Sequence, residues 1–325
     1  MKKILVTYNM FREGFRELES KYNVTFPSRE NRHFTYEEVL DIIPEYDALC
    51  SMYNFPVTKE LIDRSSNLKV VSNYAVGYDN IDIKYAFEKG IAVANTPDQV
   101  TNPTANLALA LLLDAAQRVT EFDRKLRTYC GDLKRGVNIN LGLPITGKTL
   151  GILGMGRIGK ALCKRAIACG MHVIYNNRHQ LLAEEEACLG VTFVSKDELL
   201  YQSDFISINA PYTSETYHII GADELKKMKS TAILINTSRG PLVDENALIH
   251  ALQNKEISGA GLDVFEFNDS PLPELYKIES VVLTPHIGTQ NISTRIEMAK
   301  AVCDNVIGFF ECDRPVFRVP EPQII

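Results

Sequence analysis

Thr149 to Arg178 reads TLGILGMGRIGKALCKRAIACGMHVIYNNR. Leu150 to Leu153 is a short apolar run of the kind a buried strand presents. Gly154-Met155-Gly156-Arg157-Ile158-Gly159 follows as a G-x-G-x-x-G turn, and Lys160 to Cys169 then continues at helical spacing. Met171 to Tyr175 is a second strand. Strand, glycine turn, helix and strand in this order predict a βαβ unit with a dinucleotide fingerprint. Gly154, Gly156 and Gly159 would serve a tight turn, a close backbone approach to a diphosphate, and tight packing of helix on strand. The diphosphate would rest on the free N–H groups of the helix N-terminus.

The surrounding chain is compatible with that unit. Its 325 residues are 45% hydrophobic and 23% charged, enough for two domains with real cores. A net charge of -6 offers no electrostatic reason to expect nucleic acid or an anionic membrane as partner. The seven cysteines are odd in number and lack C-x-x-C spacing, which points to reduced thiols in a cytoplasmic protein. The apolar run in MKKILVTYNMFREGF stops after Ile4-Leu5-Val6, so it reads as a first strand and not as a leader. Leu107 to Leu113, the longest apolar stretch, is far too short to span a bilayer.

From Lys2 to Pro97 short strands alternate with helical stretches. The strands fall at Ile4–Tyr8, Tyr22–Phe26, Ala48–Ser51, Lys69–Asn73 and Ile91–Asn95. Helices are expected over Phe11–Lys21, Tyr36–Ile43, Thr58–Arg64 and Ile81–Lys89. Such alternation predicts a parallel sheet covered on both faces. A long helix is expected from Pro103 through Arg118 towards Tyr129, since proline suits a first helical turn. After the glycine turn, further strands are expected at Asp204–Ala210, Ala232–Asn236, Gly259–Val264 and Ser280–Leu283, and a last helix over Asn291–Phe310. That helix would return to the first domain and make it discontinuous: residues 1–102 with 290–325, against 103–289 for the dinucleotide-binding domain.

Three further stretches carry polar groups just after strands, where open α/β sheets bind ligands. In Tyr74-Ala75-Val76-Gly77-Tyr78-Asp79-Asn80, Gly77 allows backbone N–H groups to face a carboxylate; the alternative is an ordinary turn. In Ile235-Asn236-Thr237-Ser238-Arg239-Gly240, the arginine can hold a carboxylate in a fork and polarise a carbonyl beside it; the alternative is a structural ion pair. In Leu283-Thr284-Pro285-His286-Ile287-Gly288, the histidine can exchange a proton near neutral pH, or be purely structural. His33, His172, His179, His218 and His250 lack such a setting, and no spacing suggests a metal site.

Taken together, YAVGYDNID, GKTLGILGMGRIGKAL, INTSRGPLVDENAL, GAGLDVFE and VVLTPHIGT closely resemble the D-isomer-specific 2-hydroxyacid dehydrogenase family. That family includes glyoxylate/hydroxypyruvate reductases, D-lactate dehydrogenases and phosphoglycerate dehydrogenases. The motifs stand in the family's order between Asn73 and Thr289. The resemblance implies two doubly wound parallel-sheet α/β domains, Rossmann-like and flavodoxin-like, with a cleft between them. It also implies hydride transfer between NAD(P)H and a small 2-keto acid, and a homodimer formed through the cofactor domain. Matched residue by residue, Arg239 would clamp the substrate carboxylate, His286 would protonate the alkoxide, and Val76 and Gly77 would offer N–H groups. Arg157 and Ile158 would meet the cofactor pyrophosphate, and Ala210, Pro211, Thr216, Thr237 and Asp263 would line the adenosine and nicotinamide pocket.

Two positions depart from the family. Its usual catalytic glutamate, five residues after the LDVFE aspartate, is Asn268 here; Glu266 or Asp269 would substitute if the loop were shifted, and a solvated loop residue is the other alternative. An amide can orient His286 but adds no charge to favour the imidazolium. His286 is therefore expected to titrate lower than in glutamate-bearing relatives, which narrows reduction toward acid pH. Asn268→Glu should extend the alkaline limb of the pH–rate profile; superimposable profiles would sink this idea. Secondly, the acid that normally binds the NAD ribose is replaced by Asn177, followed by Arg178. With no carboxylate to repel a 2′-phosphate and a guanidinium beside it, NADP is expected over NAD. Two rival readings are a dinucleotide-sensing corepressor-type scaffold and a formate dehydrogenase-like enzyme. The first is opposed by the presence of both Arg239 and His286, and the second is suggested only by Asn268.

Overall fold

The computed structural model describes residues 1–28, 33–128, 133, 134, 136–267 and 270–321. Its contacts divide the chain into two units, Met1–Val100 with the segment from Thr289 onward, and Thr101–Gly288. The parallel α/β sheets expected from the alternating pattern are present in both.

The first unit holds β1 (Lys3–Val6), β2 (Asn23–Thr25), β3 (Ala48–Met52), β4 (Val70–Tyr74) and β5 (Ala92–Ala94). They pair in parallel in the order β2-β1-β3-β4-β5. The inner strands KILV, ALCSM and VVSNY are almost continuously buried, as a sheet covered on both faces requires. Alternate residues feed separate cores: Ile4, Val6, Ala48, Cys50 and Val70 on one face, Leu5, Leu49, Val71 and Val93 on the other. Helix Ile292–Cys312 covers the first face with Met298, Ala299, Val302, Cys303 and Val306, a stripe at three- and four-residue spacing. Asn291 caps that helix by accepting from the Thr294 N–H at 2.9 Å.

The second unit holds β6 (Thr149–Leu153), β7 (His172–Asn176), β8 (Val191–Phe193), β9 (Phe205–Ile208), β10 (Ile233–Asn236), β11 (Gly259–Leu262) and β12 (Val281–Leu283). All pair in parallel in the order β12-β11-β10-β9-β6-β7-β8. The chain thus winds outward from β6 through β7 to β8, then crosses back and winds outward from β9 to β12. The order reverses between β6 and β9, and the crevice at such a reversal is where these sheets bind nucleotides.

Three elements differ from the sequence expectation. The long helix is two, Thr101–Gln117 and Val119–Thr128, broken at Arg118 with φ of 60°. The guanidinium of Arg118 donates to Glu121 at 2.6 and 2.8 Å and to the Leu141 carbonyl at 3.0 Å, contacts that hold this left-handed residue in place. The first helix is shorter than expected: a 3₁₀ turn at Arg12–Gly14 precedes helix Arg16–Lys21. Strand β8 was not expected; three residues at a sheet edge leave no readable alternation. Among the described residues, no helix is long and apolar enough to cross a membrane.

Candidate active site

Every element expected to carry chemistry in the second unit ends on the same edge of its sheet. At the end of β6, Gly154 adopts φ of 100°, and a Cβ there would lie 2.6 Å from the Ala210 N. A Cβ on Gly159 would lie 2.3 Å from the Gly154 carbonyl oxygen, so the helix sits on the turn at a separation only glycine permits. Gly156 is different: nothing lies within 4 Å of its Cβ position, and it faces solvent. It starts helix Arg157–Ala168 with no side chain capping the first turn. A helix N-terminus beside an open glycine, with no side chain capping it, fits a diphosphate.

Asn177 follows β7, and its side-chain oxygen accepts from the Met155 N–H at 2.6 Å, tying the strand end to the glycine turn. Arg178 is exposed beside it. Its charge reaches Glu215, whose carboxyl is held below the usual range mainly by the Thr213 side chain, with Arg178 as a smaller contributor. Ala210 and Pro211 open the loop after β9. Thr216 folds that loop: its hydroxyl donates to the Pro211 carbonyl at 2.8 Å and accepts from the Thr213 N–H at 2.8 Å. Two buried oxygens here, Asn209 Oδ1 and Thr237 Oγ1, have no hydrogen-bond partner among the described residues. Buried polar atoms are almost always paired, so these fit a polar ligand bound at the ends of β9 and β10.

Arg239 stands three residues beyond β10 in a turn built by Asn236. The Asn236 amide donates to the Arg239 carbonyl at 2.9 Å and accepts from the Ser238 N–H at 3.0 Å, while the Ser238 hydroxyl donates to the Ile208 carbonyl at 2.9 Å. The next residue must be glycine, because a Cβ on Gly240 would lie 1.8 Å from the Phe265 carbonyl oxygen. His286 follows β12 with φ of 52°, a left-handed conformation that costs a non-glycine residue about 1 kcal/mol or more. Asp263 holds it there. The His286 N–H donates to the Asp263 carbonyl at 3.0 Å. The Asp263 carboxylate accepts from Thr284 Oγ1 at 2.6 Å, the Ile287 N–H at 2.8 Å and the Gly288 N–H at 3.0 Å. Burial pushes the Asp263 carboxyl up, against the opposing pull of those donors and of His286. The side chain of Asp263 thus organises the histidine loop.

Asn268 and Asp269 lie outside the described residues. Of the alternatives for the missing carboxylate, Glu266 is engaged elsewhere: one oxygen bonds His218 Nε2 and the other accepts from the Glu245 N–H at 3.0 Å. Val76 and Gly77 belong to the first unit, half-buried just beyond β4. Asn236 was missed by the sequence reading, as was the unpaired oxygen of Asn209. An asparagine ending a strand is a turn signal, and only tertiary contacts reveal which carbonyl it holds.

The model of the NAD binding domain of D-isomer specific 2-hydroxyacid dehydrogenases matches residues 109–288. The chain belongs to that family. It is 44% identical over 321 residues to a glyoxylate reductase of Thermococcus litoralis, spanning 96% of this chain and 95% of that one. Among solved structures, a glyoxylate reductase from Paecilomyes thermophila superposes with a TM-score of 0.89 at 34% identity, covering 98% of each chain. An NADPH-dependent glyoxylate/hydroxypyruvate reductase from Sinorhizobium meliloti, in complex with NADP and malonate, gives 0.85 at 29% identity, covering 100% of this chain and 99% of that one. This 2-hydroxyacid dehydrogenase is therefore an oxidoreductase of the CH–OH class that takes a nicotinamide dinucleotide.

Proposed function

We propose that this dehydrogenase reduces a small 2-keto acid of the glyoxylate, hydroxypyruvate or pyruvate kind to the D-2-hydroxy acid, with NADPH as donor. The observation that carries the reading is the arrangement of Arg239 after β10 and His286 after β12, on the sheet edge that also bears the glycine turn after β6. When bound, the dihydronicotinamide supplies the hydride. Arg239 holds the substrate carboxylate in its fork and withdraws electron density from the keto oxygen. His286 gives the alkoxide oxygen a proton; its Nδ1 is buried, which leaves Nε2 as the donor. Asn268 orients that ring without charging it. Val76 and Gly77 in the first unit, the substrate domain, add N–H donors to the carboxylate. Gly154, Gly156, Arg157, Ile158 and Gly159 receive the diphosphate, Ala210, Pro211, Thr216 and Thr237 line the pocket, and Asp263 sets the loop behind it.

NADPH oxidation measured with glyoxylate, hydroxypyruvate and pyruvate tests the assignment, and each acid is run again with NADH. Turnover of at least one acid is expected, faster with NADPH. No turnover of any of them refutes it, and a corepressor-type scaffold would give that result. Its relatives, which include a glyoxylate reductase and an NADPH-dependent glyoxylate/hydroxypyruvate reductase, support the same reading. The enzyme works in the cytoplasm, where buried Cys50, Cys163 and Cys303 stay reduced. It forms a homodimer through the second unit: Val119, Leu126, Val137, Ile139 and Leu141 are all exposed within one short span. Light scattering that returned the mass of a single chain would contradict the dimer.

A further inference from the structure

The loop after β4 is shaped by side-chain amides that no motif singled out. The Ala75 carbonyl accepts from the Thr96 N–H at 2.9 Å. The Val76 carbonyl accepts from Asn95 Nδ2 at 2.8 Å, and the Gly77 carbonyl from Asn73 Nδ2 at 2.9 Å. A carbonyl oxygen only accepts, so the side-chain atom facing it is nitrogen in both cases. In a planar trans peptide the C=O and N–H point in opposite directions. Drawing these three carbonyls into the chain therefore turns the N–H groups of Val76, Gly77 and Tyr78 away from it. Among the described residues, none of those three N–H groups donates to the chain.

Both asparagines are themselves held. Ser51 Oγ donates to Asn73 Oδ1 at 2.9 Å, and the second Asn73 hydrogen reaches Asn80 Oδ1 at 3.0 Å. Asn73 and Ser51 are fully buried. Asn95 is fixed through its backbone: its N–H donates to the Phe317 carbonyl at 3.1 Å, and its carbonyl accepts from Asn305 Nδ2 at 3.0 Å. Asn305, fully buried on helix Ile292–Cys312, also accepts from the Phe317 N–H at 2.8 Å.

We propose that Asn95 and Asn73 are positioning residues: by holding the carbonyls of Val76 and Gly77 they aim the N–H groups of Gly77 and Tyr78 at the substrate carboxylate. This rests on the keto-acid reading above and adds Tyr78 N–H as a donor. Asn95→Asp is nearly isosteric but replaces the donor with a carboxylate that repels the Val76 carbonyl, so the peptide turns. The expected result is a rise of about tenfold or more in KM for glyoxylate, the scale of one lost hydrogen bond to a charged group. KM for NADPH stays within about twofold, since the cofactor turn is in the other unit. The decisive readout is preference for glyoxylate over its neutral methyl ester, measured as the ratio of kcat/KM values. A merely structural role would lower kcat/KM for acid and ester alike, whereas loss of the aimed N–H groups lowers the acid-to-ester ratio as KM for glyoxylate rises.

A folded Asn95→Asp enzyme with wild-type KM and wild-type acid-to-ester ratio overturns the proposal. Oxamate titrated into the wild-type protein gives a reading independent of turnover and of any variant's folding. The amide ¹⁵N–¹H resonances of Gly77 and Tyr78 should move, and unmoved resonances at saturating oxamate overturn the proposal. Moving amides without turnover of any keto acid would uphold this inference and sink the functional reading. Normal turnover with unmoved amides would do the reverse.

Discussion

Arg239→Gln should lower kcat/KM for the keto acid about a thousandfold while KM for NADPH stays within about twofold. Two losses combine. A bidentate arginine–carboxylate pair is worth about 1.5–3 kcal/mol as hydrogen bonds to a charged group, and the glutamine amide keeps only a neutral fraction of it. The same guanidinium polarises the keto oxygen, and removing one such donor from a developing oxyanion costs about 10²–10³ in rate. The turn should survive the change, because its shape comes from Asn236, the Ser238 bond to Ile208 and the contact of Gly240 with Phe265. Arg239→Lys should fall between the two, keeping charge but losing the fork. Steady-state kinetics on all three proteins decide the matter. A glutamine variant within about tenfold of wild type removes Arg239 from the mechanism.

The double change Asn177→Asp with Arg178→Ala should move cofactor preference from NADPH towards NADH by about a hundredfold. Asn177 already serves as an acceptor, taking the Met155 N–H at 2.6 Å through its side-chain oxygen. Aspartate keeps that bond and adds only charge, which suits a ribose hydroxyl and repels a 2′-phosphate. Losing the Arg178 guanidinium removes a charge-assisted partner for the phosphate, worth about 1.5–3 kcal/mol, or roughly 10–100-fold. Glu215 lies close enough for the Arg178 charge to help hold its carboxyl below the usual range, a smaller cause than the Thr213 side chain. The measurement is the ratio of kcat/KM for the two cofactors in wild type and variant. A wild-type preference for NADH, or an unchanged ratio in the variant, defeats the assignment.

The glycine turn was legible because its signals are local: an apolar run, three glycines at fixed spacing and an amphipathic stretch. The places of Arg239 and His286 just beyond β10 and β12 were legible for a related reason, since the apolar pattern reveals both strands. What the sequence concealed depends on partners distant along the chain. Arg118 breaks a helix because Glu121 and the Leu141 carbonyl hold its guanidinium, and no helix-ending glycine or proline marks the place. Strand β8 is recognisable only through its pairing with β7. Glu266 remained open as a substitute for the missing carboxylate until its bond to His218 was seen. Asn73, Asn95 and Asn236 read as ordinary strand-end asparagines, yet each decides which way a loop carbonyl points.

Helix Ile292–Cys312 packs on a sheet whose strands all lie before residue 95. During synthesis, Ile4, Val6, Ala48, Cys50 and Val70 therefore emerge long before the side chains that cover them. The whole second unit leaves the ribosome in between and finds all of its own partners within one uninterrupted stretch. Domains generally fold as units once their residues are available. The order of completion thus runs against the order of synthesis: the cofactor-binding half matures first, and the half that begins the chain is finished last. In that interval one apolar sheet face waits for the helix that covers it.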